Sequence, residues 1–261
     1  MAKAKPKVKK TSALYLYAAG LRQDLQRALD AGSPPDTMEP GTPFALVTLG
    51  DLAAVVSEVH VSEEDDVLQL AEKLMRHERA AEYLAANAAV VPFRFGVMYS
   101  GREPVRAMLS ERRSQIVRSL DRLKGCEEWG VNIDIDRQIF SEAARMNAAE
   151  AEVKTTAPGQ AYLRRKKLER TQADESKRYL RQIIAEIKDR LKSSSKGSAD
   201  LEIKPGVAAS KLHPAARMAF LIDRKKIKAF KKELEKLARH FGPQGLRFEL
   251  TGPWPAYNFV E

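Results

Sequence analysis

Short runs with the two-residue period of a β-strand alternate along the chain with stretches of helical period, and this order limits the fold more than any single motif does. In ALYLYA, residues 13–18, leucines and tyrosines fall on opposite faces, which predicts a strand. LRQDLQRALD then predicts a helix. Further strands are expected at 44–49, 52–59, 90–99 and 127–136, and further helices at about 62–89 and 102–124. The order β, α, β, β, α, β, α, β predicts a ferredoxin-like, split βαβ domain over residues 13–137.

The second half of the chain, residues 138–261, is predicted to form a helix-rich α+β domain. One long apolar stripe has helical spacing and consists of Leu180, Ile183, Ile184, Ile187 and Leu191. Residues 192–210 have the serine, glycine and lysine content of a linker. A strand at 215–222, an amphipathic helix at 224–241 and a strand at 246–250 are expected after it. We therefore predict two α+β domains, the second one containing long helices.

Composition indicates a globular protein, since 44% of the residues are hydrophobic and 31% are charged. No apolar stretch reaches the roughly 18 residues of a membrane span, and the N-terminus lacks a signal-peptide core, so a cytoplasmic protein without a membrane span is expected. The net charge is +10, and five lysines among the first ten residues predict a disordered basic tail at 1–12. The single cysteine, Cys126, excludes an internal disulfide.

The sequence contains no complete catalytic motif. HERAA, residues 77–81, begins like a zinc-protease helix, but position 81 is alanine where the second metal-binding histidine must lie. Glycine-rich phosphate loops and the Gly-x-Ser-x-Gly nucleophile motif are absent from the sequence. We therefore expect neither an enzyme nor a bound cofactor or metal.

Two other functions remain open at the level of sequence. Asp134 and Asp136 occupy alternate positions of a predicted strand, as a magnesium site for nucleotidyl transfer requires, although the polar face of a half-exposed strand explains them more simply. RRKK, residues 164–167, is a basic run that can bind phosphates nonspecifically. No sequence-specific nucleic-acid motif accompanies it, and a solvated helix face is the simpler interpretation.

The chain ends on LTGPWPAYNFV, residues 250–260, an unusually rigid and aromatic terminus. Prolines fix their own φ and extend the residue before them, so the segment has a restricted path. Trp254, Tyr257 and Phe259 carry more apolar area than an open tail leaves in water. We expect residues 250–261 to pack at the junction of the two domains, with the three aromatics as a clamp.

Four separated motifs, VVPFRFG, EEWGVNIDI, GQAYLRRKKLER and LTGPWPAYNFV, occur in this order. Together they resemble the GvpF/GvpL family of gas vesicle accessory proteins, over a span from Ala13 to Val260. The resemblance implies a two-domain α+β protein with a ferredoxin-like N-terminal part and no catalytic activity. It also implies a role in assembling the gas vesicle wall, in the cytoplasm and on the gas vesicle. It does not separate the F-type from the L-type member.

The partners that the resemblance implies are the small, very apolar shell protein GvpA and other gas vesicle accessory proteins. Free shell subunits expose strand edges and hydrophobic surface, which favour aggregation. Our hypothesis is that this chain covers that surface or nucleates the wall, by adding a strand at the edge-like VVPFRFG or by docking apolar side chains. Arg94 is interpreted as either an outward charge or one half of an interdomain ion pair. The candidate residues for partner binding or the domain clamp are Phe93, Arg94, Trp254, Tyr257 and Phe259.

Overall fold

The computed structural model describes residues 11–61, 67–151, 161–203 and 211–260. The chain divides into two compact units. Residues up to Glu127 form the first unit together with the residues from Trp254 onward, and Glu128–Pro253 form the second. The predicted basic tail lies, up to residue 10, outside the described residues, as does the predicted helix start at Ser62–Asp65.

The first unit is a sheet with helices on both faces. Its sheet has the strand order β2-β3-β1-β4, β5 also pairs with β1, and all these pairs are antiparallel. This is the strand order of a split βαβ unit, in which β3 is inserted between β1 and β2. The predicted α+β class is confirmed. The elements are β1 (Thr11–Leu21), α1 (Arg22–Asp30), β2 (Ala45–Leu49), β3 (Leu52–Val61), α2 (Val67–Asn87), β4 (Val90–Pro92), β5 (Met98–Tyr99), α3 (Arg102–Glu111) and α4 (Arg113–Leu123).

The central strand β1 explains why this sheet is covered on both faces. Leu16 packs into one apolar cluster with α3 and α4 residues such as Leu109 and Leu120. Tyr15 and Tyr17 point the other way, into a second cluster that contains α1 and α2 residues such as Leu25 and Leu84. Successive side chains of a strand point to opposite faces of the sheet. Since the side chains on both faces of β1 are apolar, each face is covered by helices.

The second unit repeats the same topology. It consists of β6 (Cys126–Asp136, at the junction with the first unit), α5 (Arg137–Ala151), α6 (Ala161–Lys192), β7 (Gly197–Asp200), β8 (Leu212–Asp223), α7 (Ile227–Phe241) and β9 (Leu246–Trp254). The strand order is β7-β8-β6-β9. With α5 and α6 as the first crossover and α7 as the second, this is again a split βαβ arrangement.

The long apolar stripe predicted in the second half lies in the core of this unit. Ile183, Ile187 and Leu191 of α6 are buried, and Leu180 and Ile184 pack beside them. They meet residues of the sheet and of α7, among them Ile133, Phe220, Phe230 and Leu237. The apolar face that the helical period predicts is therefore the face of α6 that packs into the core.

The predicted domain boundary at residue 137 differs from the observed one. Strand β6 belongs to the sheet of the second unit, because Val131, Ile133 and Ile135 pack into that unit's core. Alternation along the strand identifies these residues as buried but does not identify the sheet that they join. The C-terminal residues from Trp254 onward group with the first unit rather than with the predicted domain 138–261.

Three predicted elements also have different bounds. The run 90–99 is not one strand, since β4 and β5 are separated by a turn in which Gly96 has φ +90°. The predicted helix 102–124 is divided at Arg112 into α3 and α4. The predicted linker 192–210 contains β7, which pairs with β8 through backbone hydrogen bonds that do not depend on its polar side chains; residues 204–210 lie outside the described part.

Candidate partner-binding surface

Helix α2 changes character halfway along its length. Its second half faces the core of the first unit, where His77, Ala80, Ala81 and Leu84 are buried. Its first half, from Val67 to Arg76, contains no buried residue. The helix therefore extends beyond the core that supports its C-terminal half.

Five large apolar side chains lie exposed on this first half. Their exposed fractions are 83% for Val67, 76% for Leu68, 49% for Leu70, 43% for Leu74 and 54% for Met75, and we call this set the α2 apolar surface. Within 67–75 the only charged residues are Glu72 and Lys73, whose charges cancel. A cluster of this kind is typical of a site that another molecule covers.

The apolar spacing of the first half of α2 predicts a helix, but it does not predict a binding site there. The signal for exposure is present in the sequence: Leu68 and Met75 lie to one side of the stripe formed by Val67, Leu70 and Leu74. The apolar arc is therefore wider than the stripe that a helix needs to pack onto one sheet.

The outer edge of the first sheet is occupied by arginine side chains. Strand β2 is the last strand on its side of the sheet. Nη2 of Arg102 donates to the carbonyl oxygen of Leu46 at 2.7 Å, and Nε of Arg106 donates to that of Thr48 at 3.4 Å. These carbonyls are the acceptors that an added strand needs, so this edge is protected against strand addition.

The terminal aromatic segment is anchored by a hydrogen-bonded chain around His77. Nδ1 of His77 lies 2.9 Å from the Tyr15 hydroxyl, and Nε2 lies 3.1 Å from the Tyr257 hydroxyl. The Tyr257 hydroxyl donates to Oε2 of Glu78 at 3.5 Å. The backbone of Phe93 is a further hydrogen-bond partner of the same imidazole.

Burial sets the ionisation of this cluster. It lowers the pKa of His77 to about 4 from its ordinary value of 6.5, because a charged imidazole loses its hydration there. Burial, with the nearby Glu82 charge, raises the pKa of Glu78. Burial and the Glu78 charge also raise the pKa of Tyr257. The hydrogen-bonded chain thus holds a neutral histidine and a neutral tyrosine at pH 7.

The other candidate residues at the C-terminus have unequal environments. Phe259 is buried, with 4% exposed, and the guanidinium of Arg122 lies 5.6 Å from its ring centroid. Trp254 is 42% exposed. The structure therefore brings Tyr257 and Phe259 onto the first unit and leaves a large part of Trp254 in solvent.

Phe93 and Arg94 follow β4 and point to different surroundings. Phe93 is half-buried and packs against the same apolar cluster as Val260, while its backbone N–H donates to the carbonyl of Tyr17 at 2.9 Å. Arg94 is exposed. Of the two interpretations of Arg94, the outward charge fits its position.

The two aspartates of the magnesium alternative have other partners. Oδ1 of Asp134 accepts from Nη2 of Arg217 at 2.6 Å. Oδ1 of Asp136 accepts from the backbone N–H groups of Gln138 and Ile139 and so caps α5. Among the residues that the structure describes, no group of three or more histidine, cysteine or acidic side chains is arranged to hold a metal ion.

Within the described ranges, none of the helices combines the length and the apolar content required to traverse a bilayer. The architecture is that of an α+β protein with two sheets and an exposed apolar surface on one helix. A family model described as gas vesicle synthesis protein GvpL/GvpF matches residues 13–261. The chain belongs to this family, and it takes part in gas vesicle formation.

Two curated relatives come from Streptomyces sp. (strain CB03234). The chain is 27% identical to gas vesicle protein L over 236 residues, covering 84% of each chain. It is 26% identical to gas vesicle protein F over 230 residues, covering 85% of this chain and 90% of the relative. The similarity to the L-type and the F-type protein is thus nearly equal.

Two solved structures share the fold. The crystal structure of the gas vesicle protein GvpF from Anabaena sp. PCC7120 superimposes with a TM-score of 0.70 at 18% identity, with 96% of both chains covered. That of GvpF from Microcystis aeruginosa gives a TM-score of 0.62 at 17% identity, with 95% of this chain and 99% of the other covered. The α+β architecture of this chain is therefore that of known gas vesicle proteins.

Proposed function

We propose that this protein binds subunits of the small hydrophobic shell protein during gas vesicle assembly, keeps them from aggregating and delivers them to the growing wall. The α2 apolar surface is the observation that carries the proposal. It offers five large apolar side chains and no net charge over residues 67–75. Contact with an equally apolar surface removes both from water at a gain of roughly 25 cal/mol per Å² buried.

A patch that is apolar and has no net charge favours a partner surface that is also apolar and uncharged. A nucleic acid or a strongly acidic protein would leave charges without partners against these side chains, at a large desolvation cost. A very apolar shell subunit incurs no such cost. On this proposal the protein acts in the cytoplasm and at the gas vesicle by binding alone, without a catalytic step or a cofactor, and other accessory proteins of the vesicle are its further partners.

The test is co-expression of the tagged protein with the shell protein, followed by purification from the soluble fraction. The unmodified chain is expected to keep the shell protein soluble and to copurify with it. The double variant Leu70→Ser/Leu74→Ser is expected to lose the shell protein to the pellet. Because both leucines are more than two-fifths exposed, the variant should keep a melting temperature close to that of the unmodified chain.

The matched control is Ile203→Ser, which removes an apolar side chain of similar exposure, 41%, from the second unit. This variant is expected to retain the shell protein. If the unmodified chain leaves the shell protein in the pellet while itself remaining folded, capture of free subunits is wrong. If the double leucine variant retains the shell protein as well as Ile203→Ser does, the α2 apolar surface is not the binding site.

A further inference from the structure

The positive charge of the chain is concentrated in two segments. Residues 1–10 contain five lysines and no acid, and so supply +5 of the net charge of +10. Residues 224–241 contain eight lysines and arginines and two glutamates, a net charge of +6. The rest of the chain therefore has a net charge of −1. Helix α7, which lies in the second segment, is a distinct basic region of a chain that is otherwise nearly neutral.

The charged residues of α7 share its solvent-exposed face. The opposite face, with Phe230, Leu234 and Leu237, is buried in the core of the second unit. The exposed charged positions of the helix are Lys228, Lys231, Lys232, Glu235, Lys236 and Arg239. Three of the lysines, at 228, 232 and 236, follow one another at i, i+4, about 6 Å apart along the axis. Like charges at this spacing destabilise a helix, so the row of lysines is unfavourable in the free protein.

The second acid of α7 does not compensate this row. Oε1 of Glu233 accepts from Nε of Arg190 at 2.9 Å, and its Oε2 accepts from Nζ of Lys236 at 3.1 Å. Its charge is therefore shared between two cations, one of which comes from α6. Lys228 and Lys232 have no ion pair within the part of the chain that the structure describes. Their charges are available to a partner.

A groove of about 420 Å³ opens beside this row, where the end of α6 meets α7. Its lining includes Arg190, Ser194, Lys232 and Lys236. Ammonium and guanidinium groups only donate hydrogen bonds, and a serine hydroxyl can donate as well. An ionised carboxylate only accepts hydrogen bonds, so the groove matches it in both charge and hydrogen-bonding capacity.

The side chains of this face also favour one class of anion over the others. No phenylalanine, tyrosine or tryptophan of α7 is exposed, so the bases of a nucleic acid have no ring on the helix to stack on. No large apolar side chain of α7 is exposed either, whereas a helix that lies on a membrane inserts such side chains. Most of the cations are lysines, which lack the guanidinium fork that binds phosphates in a bidentate manner. Charge complementarity therefore favours the carboxylates of an acidic polypeptide.

Going beyond the proposed function, we propose that the α7 face formed by Lys228, Lys232 and Lys236 binds an acidic segment of a partner protein. The carboxylates of the segment pair with the lysines that have no ion pair and remove the repulsion between them. This face belongs to the second unit and shares no residue with the α2 apolar surface of the first. The inference therefore does not depend on capture of the shell protein.

The experiment is a titration of the full chain against fluorescently labelled poly-L-glutamate, followed by anisotropy at several salt concentrations. The variant Lys228→Gln/Lys232→Gln is expected to bind about three- to tenfold more weakly at low salt, because exposed ion pairs each contribute modestly. Its affinity should also depend less on salt, since fewer charges are screened. Both lysines are exposed, so the melting temperature should stay close to that of the unmodified chain.

The matched control is Lys7→Gln/Lys9→Gln, which removes the same charge from the basic run of residues 1–10. This variant is expected to bind poly-L-glutamate like the unmodified chain. Equal weakening in both variants would mean that net charge alone attracts the probe, and the inference would be wrong. Unchanged binding in the α7 variant overturns it too. If the α7 substitutions weaken an oligothymidylate of equal charge more than poly-L-glutamate, the face binds nucleic acid and the proposed partner is wrong.

Discussion

The imidazole of His77 and the hydroxyl of Tyr257 form a hydrogen bond of 3.1 Å between residues 180 positions apart in the sequence. His77 lies where α2 enters the core, and Tyr257 lies in the last segment of the chain. This bond attaches the C-terminal segment to the first unit, at the point where the buried half of α2 gives way to the α2 apolar surface. The tyrosine of the terminal motif LTGPWPAYNFV therefore contributes a specific contact to the fold.

Replacement of Tyr257 by phenylalanine tests this attachment. The change keeps the ring but removes the hydroxyl that is hydrogen-bonded to Nε2 of buried His77, so we expect the free energy of unfolding to fall by about 1–3 kcal/mol. Tyr99→Phe is the matched control, because the Tyr99 hydroxyl makes no hydrogen bond within the part of the chain that the structure describes. Denaturant unfolding of both variants measures the difference, and equal losses would show that the Tyr257 hydroxyl does not stabilise the fold.

The pKa of His77 predicts a pH dependence of stability. Burial lowers this pKa to about 4 in the folded state, against 6.5 in the unfolded chain. Between these values the unfolded state binds more protons, so the stability that neutral His77 allows is complete above pH 6.5. It is lost as the pH falls towards 4, by about 3 kcal/mol in total. NMR titration of the four histidines should find one that remains neutral at pH 5.

Glu78 contributes to the pH dependence of stability with the opposite sign, and its contribution must be distinguished from that of His77. Its raised pKa means that folding favours its protonated form, so its unfavourable contribution grows as the pH rises through that range. His77→Gln removes the histidine and leaves Glu78 in place. The slope of unfolding free energy against pH between 4 and 6.5 is expected to be less positive in this variant than in the unmodified chain. An unchanged slope would assign the pH dependence to other groups.

Removal of the Phe259 ring and removal of the Trp254 ring should lower the free energy of unfolding by different amounts. Phe259→Ala deletes a buried ring that also lies under the Arg122 guanidinium, and a loss of about 3–5 kcal/mol is expected. Trp254→Ala deletes a ring that is 42% exposed, so its loss should be clearly smaller. Thermal unfolding of both variants checks the order. A larger loss for Trp254→Ala would make the tryptophan the main stabilising residue of the segment.

The sequence predicts most of the first unit because its strands and helices have clear periods. Alternation in 13–18 and the expected strands at 44–49 and 52–59 lead to β1, β2 and β3 at nearly the observed positions. The sequence does not predict the repeated topology of the second unit, because β7 has the sequence GSAD and no hydrophobic period. Its place in the sheet depends on backbone pairing with β8, which a local pattern does not reveal.

The candidate site was only partly accessible from sequence for a related reason. Helical spacing identifies Leu70 and Leu74 as one face of a helix, but the point at which the supporting core ends, near His77, depends on residues distant in the chain. The same holds for Tyr257, whose partner lies 180 positions away. The prolines indicate that the C-terminal segment has a restricted path. The sequence does not identify the residues against which the segment packs.

The magnesium alternative makes a prediction of its own. Addition of magnesium with a nucleotide should leave the melting temperature unchanged, because Asp134 is bound to Arg217 and Asp136 caps α5. Asp134→Asn should instead lower the stability by about 1–3 kcal/mol, since Arg217 loses its charged partner. A metal-dependent rise in melting temperature that disappears in Asp134→Asn would indicate a metal site at Asp134 and Asp136.

Gly245 allows a test of close packing in the second unit that has an internal control. It has φ +90° and lies between α7 and β9, and a Cβ built there falls 3.0 Å from the carbonyl oxygen of Asp136 and 3.0 Å from the backbone nitrogen of Phe140. Gly96 has the same φ of +90°, but a Cβ there meets nothing within 4 Å. Both substitutions to alanine therefore strain the backbone, and only one of them also creates a clash.

The difference between the two alanine variants isolates the clash. Gly96→Ala is expected to cost about 1–2 kcal/mol, the price of a side chain in a left-handed conformation. Gly245→Ala should cost about 1–3 kcal/mol more, because backbone atoms at 3.0 Å must move to admit the methyl group and do not yield as a flexible side chain does. Urea unfolding of the two variants measures this difference. Equal losses would mean that the turn after α7 can move away from the start of α5, and that their close approach does not stabilise the second unit.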